Sequence, residues 1–173
     1  MAAPDPRFAQ ILNLSVTPDL YAEIRDLWLL HVTNEERLFV PHTDEVAKDA
    51  MDKMLSAFTP DCVMELVAAG ERWTGYDGAR AFYATFLSSL GDMEWVPQAL
   101  VIGPQGVLDV VNMTGTLLRP FAGLTAIGDK LALQWVIFFP WIAKARRFKG
   151  EYIYAIRPLG TKESVSTPTW LDD

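Results

Sequence analysis

The stretch that decides the fold is LALQWVIFFPW, at residues 131–141. Its Val, Ile, Phe and Trp residues favour an extended strand, and it is too short to cross a membrane as a helix. Successive side chains of a strand point to opposite faces. One of the two faces is entirely apolar: Leu133, Trp135, Ile137 and Phe139. The other face, with Val136 and Phe138, is also mostly apolar, so we expect this strand to be covered on both sides.

Further strands on either side of this stretch predict a meander. The pattern of apolar residues indicates strands at 94–102, 107–118 and 151–156. Between the first two, the sequence Gly-Pro-Gln-Gly at 103–106 supplies the backbone angles that a tight turn needs. We therefore expect these strands to pair antiparallel with one another and with 131–141.

The first half of the chain predicts mainly helices. Apolar residues recur at spacings of three and four, which indicates a helix over 17–34, a second over 43–55 and a third over 77–90. A strand at 62–68 and a short return segment around Trp73 lie between the second and third helices. Helices followed by a strand meander predict an α+β fold, with about three helices on one face of a curved antiparallel sheet.

The composition fits one folded domain. The chain has 173 residues, of which half are hydrophobic. This content is too apolar for a disordered chain, and the length suits a single domain. We expect an N-terminal extension at 1–16, a domain at 17–158 and a polar C-terminal tail at 159–173.

Charge, cysteine content and apolar runs argue against several functions. The formal net charge is −7, so the surface would repel phosphate backbones and we expect no nucleic-acid partner. No apolar run approaches the roughly 18 residues that indicate a membrane span. The first residues lack the pattern of a secretory signal, so we expect a cytoplasmic location and no membrane partner. The single cysteine, Cys62, excludes an intrachain disulfide and a multi-cysteine metal site.

Four segments resemble one known family in their order and spacing. FTPDCV at 58–63 is similar to its helix-to-strand junction, and WTGYDGARAFY at 73–83 is similar to its glycine-rich entry into the third helix. GTLLRPFAGL at 115–124 resembles its strand–loop–strand, and GEYIY at 150–154 resembles its final strand. The family is the SnoaL-like polyketide cyclases, within the nuclear-transport-factor-2-like superfamily.

The resemblance covers about residues 20–158 and implies a cone with an apolar pocket. In this family a curved sheet, wrapped by helices, encloses the pocket, and members often form homodimers through the sheet. Relatives include polyketide cyclases, ketosteroid isomerases, dehydratases and epoxide hydrolases, which commonly move a proton with an Asp or His in the cone. The resemblance therefore implies an apolar small-molecule partner, a homodimer and no cofactor, but it does not select one reaction.

The positions where relatives often carry catalytic groups are apolar in this chain. Alignment of the four segments places hydrophobic residues at all of them: Leu66, Leu117, Ile137 and Ile156. A shift of one residue would bring Glu65 to the first position. The chain has either moved its catalytic groups elsewhere or lost catalysis and kept a ligand pocket.

Two residues are candidates for proton transfer. Glu65 lies in a predicted strand among apolar residues, where burial would raise its pKa and make it a usable acid or base. The alternative for Glu65 is a solvated, outward side chain. His31 lies on the apolar face of the first predicted helix, and its pKa near neutrality suits proton transfer. The alternative for His31 is a core histidine bonded to backbone or to a tyrosine.

Six residues are candidates for ligand contact: Trp28, Asn112, Leu117, Trp135, Ile137 and Tyr154. The tryptophans would form the floor of a pocket for a flat ligand, while Asn112 or Tyr154 would steady an oxyanion. Asp109, near the turn, is expected at an exposed position. We expect no metal, because the chain has only two histidines and no carboxylates at ligand spacing beside them.

Three functions remain open at this point. The first is a cofactor-independent cyclase, isomerase or dehydratase that acts on an apolar carbonyl compound by general acid–base catalysis. The second is a non-catalytic binding protein for an apolar ligand. The third is a structural partner that dimerises through its sheet and has no working pocket.

Overall fold

The computed structural model describes residues 14–159. The helices of this part of the chain are α1 (Pro18–Glu36), α2 (Asp44–Leu55) and α3 (Gly75–Ser89). Its strands are β1 (Phe58–Leu66), β2 (Glu71–Thr74), β3 (Leu90–Gly103), β4 (Gly106–Leu117), β5 (Lys130–Ile142) and β6 (Arg147–Pro158). Most of the expected N-terminal extension and C-terminal tail lie outside the described residues.

The first two helices begin at threonine caps. The hydroxyl oxygen of Thr17 accepts a hydrogen bond from the backbone N–H of Leu20, at 3.2 Å, and Pro18 occupies the first helical position. Thr43 caps α2 in the same way, through the N–H of Val46 at 3.3 Å. Each cap satisfies one of the backbone donors left free at a helix start. These starts agree with the helix positions predicted from the apolar spacing.

The six strands form one curved sheet in the order β2-β1-β6-β5-β4-β3. The meander of β3, β4, β5 and β6 is antiparallel throughout, as predicted. β1 pairs antiparallel with β2 but runs parallel to β6. We expected an antiparallel sheet. The observed sheet is mixed, because the pair of β1 with β6 is parallel. Alternation along β1 predicts a strand, but it holds no information about which distant strand becomes its neighbour.

The two faces of the sheet differ in what they contact. We call the face that carries Met64, Val111 and Trp135 the inner face, because these side chains are buried in the core with the helices. The outer face carries the residues between them in each strand, such as Glu65 and Asn112. Several apolar side chains of the outer face keep exposed surface, among them Leu108, Val110, Val136 and Phe138.

A bulge at Gly150 decides which residues of β6 face inward. Phe148 and Glu151 are both buried, although two residues three apart on a regular strand face opposite ways. Gly150 has φ +144°, and a Cβ atom there would overlap the backbone of Val63 in β1. Only glycine fits this close approach of the two strands. The bulge thereby turns the carboxyl group of Glu151 to the inner face.

Candidate acid–base site

The helices and the inner face enclose a cavity of about 100 Å³. Its wall is mainly aromatic: Trp28, Phe39, Phe82, Phe86, Trp95, Trp135 and Phe139. Four carboxyl side chains interrupt this wall: Glu35, Glu36, Asp109 and Glu151. Glu36 and Pro97 are the exposed members of the lining, so the opening lies between the end of α1 and β3.

The aromatic wall is packed ring against ring. Trp135 lies at its centre, with ring centroids 5.6 Å from Phe86 and 5.5 Å from Trp95. Phe39 follows α1 and stacks on Trp95, with centroids 5.7 Å apart and planes 16° from parallel. Such contacts hold large side chains in one arrangement, so this part of the cavity has a defined apolar shape.

A buried polar cluster lies at the inner end of the cavity. Nε2 of His31 is 2.9 Å from Oε1 of Glu151. The hydroxyl of Tyr83 donates a short hydrogen bond to the same oxygen. His31 and Tyr83 have no exposed surface and Glu151 is 3% exposed. Oε1 of Glu151 thus accepts the hydrogen bond of Tyr83 and forms a close ion pair with His31, both away from water, where contacts between charged groups are strong.

The second nitrogen of His31 faces the backbone. Nδ1 lies 3.5 Å from the carbonyl oxygen of Met54, at the end of α2. A carbonyl accepts but does not donate, so Nδ1 is the nitrogen that keeps a hydrogen when the ring is neutral. Nε2 is therefore the nitrogen that gains or loses a proton.

Glu35 extends this cluster to the cavity. Its Oε2 lies 3.9 Å from Nε2 of His31, one helical turn along α1. The pKa of Glu35 is raised to about 8, first by burial and then by the nearby charges of Glu151 and Asp109, while the positive charge of His31 acts in the opposite direction. At neutral pH Glu35 is mainly the protonated acid.

Asp109 faces the same cavity from β4. Its pKa is raised to about 7, first by burial and then by the charge of Glu151, and the charge of His31 opposes both. Asp109 is therefore about half ionised at neutral pH. The cavity brings together one carboxyl group that holds a proton and one that can accept a proton.

The surroundings of His31 favour its cationic form. Burial alone would lower the pKa of its ring, but the close contact with Glu151 and the charges of Glu151 and Glu35 outweigh burial, so the pKa is raised. Burial, followed by the charge of Glu151, also raises the pKa of Tyr83 well above its usual value. Tyr83 thus remains a hydroxyl donor throughout the physiological range.

Four of the residues predicted from sequence lie at this site. Trp28, Trp135 and Ile137 line the cavity. His31 lies behind the wall, where it contacts Glu151 and Glu35. The helical spacing that predicted the buried face of α1 identified Trp28 and His31, and strand alternation identified the two positions on β5.

The other predicted residues lie elsewhere. Glu65, Asn112 and Tyr154 are on the outer face: Glu65 is 3.9 Å from Nε of Arg72, Asn112 accepts a hydrogen bond from Gln134 and Tyr154 is 51% exposed. Leu117 is fully buried in the core and does not line this cavity. The strands were identified correctly, but their periodicity alone does not state which face is enclosed.

The carboxyl groups of the site were not singled out from sequence. A signal for Glu35 was nearly present, because it follows His31 by four residues, but the first helix was predicted to end at residue 34 and extends to Glu36 in the structure. Asp109 was expected at an exposed position near the turn, but it shares the inner face with Val111 and lines the cavity. Glu151 became recognisable only with the bulge at Gly150. Among residues 14–159, no group of three or more His, Cys, Asp or Glu side chains is placed to hold a metal ion.

The fold and the site define a class of α+β protein, in which helices and one curved sheet enclose a cavity lined by aromatic and carboxyl side chains. The sequence matches the SnoaL-like domain over residues 39–142, more than half of the chain, so the protein belongs to the SnoaL-like family. A search of curated proteins finds no match. In the described residues, no helix is long and apolar enough to span a membrane.

Solved structures show the same fold at low sequence identity. AclR from Streptomyces galilaeus, a proposed hydroxylase, has a TM-score of 0.56 and 12% identity, over 87% of this chain and 92% of that chain. A proposed SnoaL-like polyketide cyclase from Jannaschia sp. CCS1 has a TM-score of 0.52 and 19% identity, over 73% of this chain and 85% of that chain. A second proposed SnoaL-like polyketide cyclase, from Shewanella putrefaciens CN-32, has a TM-score of 0.56 and 12% identity, over 76% of this chain and 90% of that chain. These likenesses establish the fold and not the reaction.

Proposed function

We propose that this protein is a cofactor-independent enzyme that moves protons on a small apolar carbonyl compound, as a cyclase, isomerase or dehydratase. The observation that carries the proposal is that Glu35 and Asp109 face one aromatic cavity with pKa values raised to about 8 and about 7. General acids and bases are most effective when their pKa lies near the working pH. Proton transfer of this kind contributes about 10²–10⁴-fold to a rate.

The two carboxyl groups take different roles. Ionised Asp109 removes a proton from the carbon next to the carbonyl group. Protonated Glu35 donates its proton to the carbonyl oxygen, where negative charge develops. In many enzymes, two carboxyl groups in different surroundings have different pKa values, so one acts as the acid and the other as the base.

The cavity wall supports an oxygen-bearing ligand. The tryptophans of the wall, Trp28, Trp95 and Trp135, each have a buried Nε1 with no hydrogen-bond partner among the described residues. A buried donor without an acceptor costs about 1–3 kcal/mol. A ligand that brings an oxygen atom close to these rings would supply the missing acceptor.

The volume limits what the cavity can hold. At about 100 Å³ it is smaller than the roughly 150 Å³ engineered cavity that admits benzene. We therefore assign the enclosed space to the reacting part of the substrate. A larger substrate would extend through the opening between Glu36 and Pro97.

A test of the proposal does not require the natural substrate. An acid–base pair of this kind exchanges protons next to a carbonyl group for deuterium in D₂O, which proton NMR measures. We would use a panel of small cyclic ketones and enones between pD 6 and 9. We expect exchange with the wild type, and a loss of about 10²-fold or more in Glu35→Gln and Asp109→Asn.

Glu65→Gln is the matched control on the outer face. We expect its exchange rate to equal that of the wild type. Loss of exchange in Glu65→Gln together with full exchange in Glu35→Gln would overturn the assignment and restore the candidate predicted from sequence. Wild-type exchange no faster than that of the Glu35→Gln/Asp109→Asn double variant, over the whole panel, would overturn catalysis.

The second candidate function is a non-catalytic binding protein for an apolar ligand. Apolar residues at the family's usual catalytic positions favour it: Leu66, Leu117, Ile137 and Ile156. Native mass spectrometry of the purified protein, followed by denaturation, would detect a retained small molecule. A retained apolar compound, together with no proton exchange, would favour binding over catalysis.

We also propose that the protein is a homodimer formed through the outer face. Leu108, Phe138 and Tyr152 form one row across β4, β5 and β6 on this face. Phe138 and Tyr152 are half-buried, and Leu108 is 36% exposed. A second copy would cover this apolar row, as expected for a homodimer interface.

A further inference from the structure

His31 has few routes by which it can exchange a proton. Phe58 and Phe139 pack edge-on against its ring, with centroids 4.9 and 5.4 Å away. Nδ1 faces the carbonyl of Met54. Nε2 faces Glu151 at 2.9 Å and Glu35 at 3.9 Å. The side chain is fully buried, so Glu151 and Glu35 are the proton acceptors that lie within 4 Å of Nε2.

We propose that Tyr83, Glu151 and His31 form a relay that returns a proton to Glu35 after Glu35 has protonated the substrate. The inference rests on the proposed function, in which Glu35 is the general acid. His31 is the donor of the relay. Tyr83 and Glu151 are positioning residues, because they act on the substrate only through His31 and Glu35.

The transfer balances in protons and electrons. Glu35 gives its proton to the carbonyl oxygen and becomes a carboxylate. The Glu35 carboxylate then closes from 3.9 Å to hydrogen-bond distance of Nε2 of His31, drawn by the positive charge of the ring. In that arrangement the N–H bond at Nε2 breaks and an O–H bond forms at Oε2 of Glu35, while the electron pair stays on Nε2. His31 becomes neutral and keeps its hydrogen on Nδ1, facing Met54. The proton that Asp109 took from the substrate passes through water to Glu35, and Glu35 passes a proton back to Nε2 of His31. Each group then holds the proton that it held at the start, so the cycle gains and loses no protons.

The remaining contacts explain why this donor is ready for use. Glu151 holds the cationic ring, and the hydroxyl of Tyr83 occupies the same oxygen, which leaves Nε2 between Glu151 and Glu35. The titratable groups that act on this nitrogen come from three elements: Glu35 on α1, Asp109 on β4 and Glu151 on β6. Tyr83 on α3 completes the set. Loss of the Tyr83 hydroxyl would remove the hydrogen bond that stabilises the negative charge of the Glu151 carboxylate. That negative charge is what favours the cationic form of His31.

NMR of ¹⁵N-histidine tests the relay directly, because the chain has only two histidines. A titration between pH 5 and 9 follows His31, with exposed His42 as the internal reference. We expect His31 in the wild type to remain cationic above pH 6.5, with a hydrogen on both ring nitrogens. We expect Tyr83→Phe to lower the pKa of His31 by one unit or more. Tyr76→Phe, which removes a hydroxyl bound to the carbonyl of Phe58, is the matched control and should leave the titration unchanged.

A second readout follows the proton that the relay delivers. In protein labelled with ¹³C at the carboxyl groups, His31→Gln should raise the pKa of Glu35, because the neighbouring cation is lost.

The outcomes separate the relay from the proposed function. A neutral His31 at pH 7 in the wild type, or an unchanged His31 titration in Tyr83→Phe, overturns the relay even if exchange is observed. No exchange in the wild type, with the expected titration of His31, overturns the proposed function instead.

Discussion

His31 on α1 and Glu151 on β6 form a buried pair, with 2.9 Å between Nε2 and Oε1. The pair joins the first helix of the described chain to its last strand. It also affects the electrostatics of the cavity: burial is the first cause of the raised pKa of Glu35 and of Asp109, the charge of Glu151 raises both further, and the charge of His31 acts in the opposite direction. One contact therefore affects both the stability of the cone and the chemistry it can perform.

Removal of one member of this pair should destabilise the protein strongly. We expect Glu151→Leu to lower the free energy of unfolding by about 3–5 kcal/mol, because it leaves His31 buried without its partner. The double variant His31→Leu/Glu151→Leu should recover part of this loss, since two apolar residues need no partner. Urea denaturation at pH 7 measures all three proteins. A double variant that loses the sum of both single effects would contradict this account.

Stability should fall as the pH rises from about 4.5 to about 8. In this range folded Glu35, with a pKa of about 8, holds a proton that the unfolded chain, with a pKa of 4.5, has released. The unfolded state then binds fewer protons, so the free energy of unfolding decreases with pH. Asp109 contributes in the same direction between 3.8 and about 7.

The variant Glu35→Gln isolates this contribution. One proton corresponds to about 1.4 kcal/mol per pH unit, so the variant should reduce the slope by up to that amount between pH 5 and 8. Urea denaturation at intervals of half a pH unit gives the slope. Glu65→Gln, at the outer face, should leave the slope unchanged. A wild-type stability that rises with pH across this window would contradict the assignment of Glu35.

The bulge at Gly150 should not tolerate a side chain. Gly150→Ala would bring a Cβ atom into the backbone of Val63 and should cost about 3 kcal/mol or more. Gly123→Ala is the matched control. Its φ is also positive, at +81°, but no atom lies within 4 Å of the added carbon. That variant should cost about 1–2 kcal/mol, from backbone strain alone. Equal losses in the two variants would show that the approach to Val63 is not limiting.

The outer face should determine the oligomeric state. We expect the wild type to sediment as a dimer at micromolar concentration. Phe138→Glu should sediment as a monomer, because it places a charge in the centre of the apolar row. Ile127→Glu, at a loop residue that is 62% exposed, should remain a dimer. A monomeric wild type would exclude this interface.

Local patterns in the sequence were sufficient for the elements of the fold. The helical spacing of α1 and the alternation in β4 and β5 are properties of neighbouring residues, so they predict helices and strands without a structure. The order of these elements, with four short segments, also indicated the SnoaL-like family. Family membership and the α+β cone were thus both accessible from sequence.

The same patterns identified only part of the site. Trp28, Trp135 and Ile137 were predicted from sequence and line the cavity. They lie on the apolar face of α1 and on the wholly apolar face of β5, which are the faces that pack into the core. A polar residue in a strand can lie on either face. Glu65 and Asp109 each lie in a strand of alternating pattern, and only the assembled sheet shows that Asp109 faces the cavity and Glu65 does not.

The sequence by itself determined the elements, their order and the family, because helix and strand periodicities depend on residues close together in the chain. The tertiary structure alone decided three further features. It paired β1 in parallel with β6, it turned Glu151 inward at the Gly150 bulge, and it buried Glu35 and Asp109 beside that carboxyl group. Which face is enclosed, and how far a pKa shifts, depends on contacts between residues distant in sequence and on the removal of water around them.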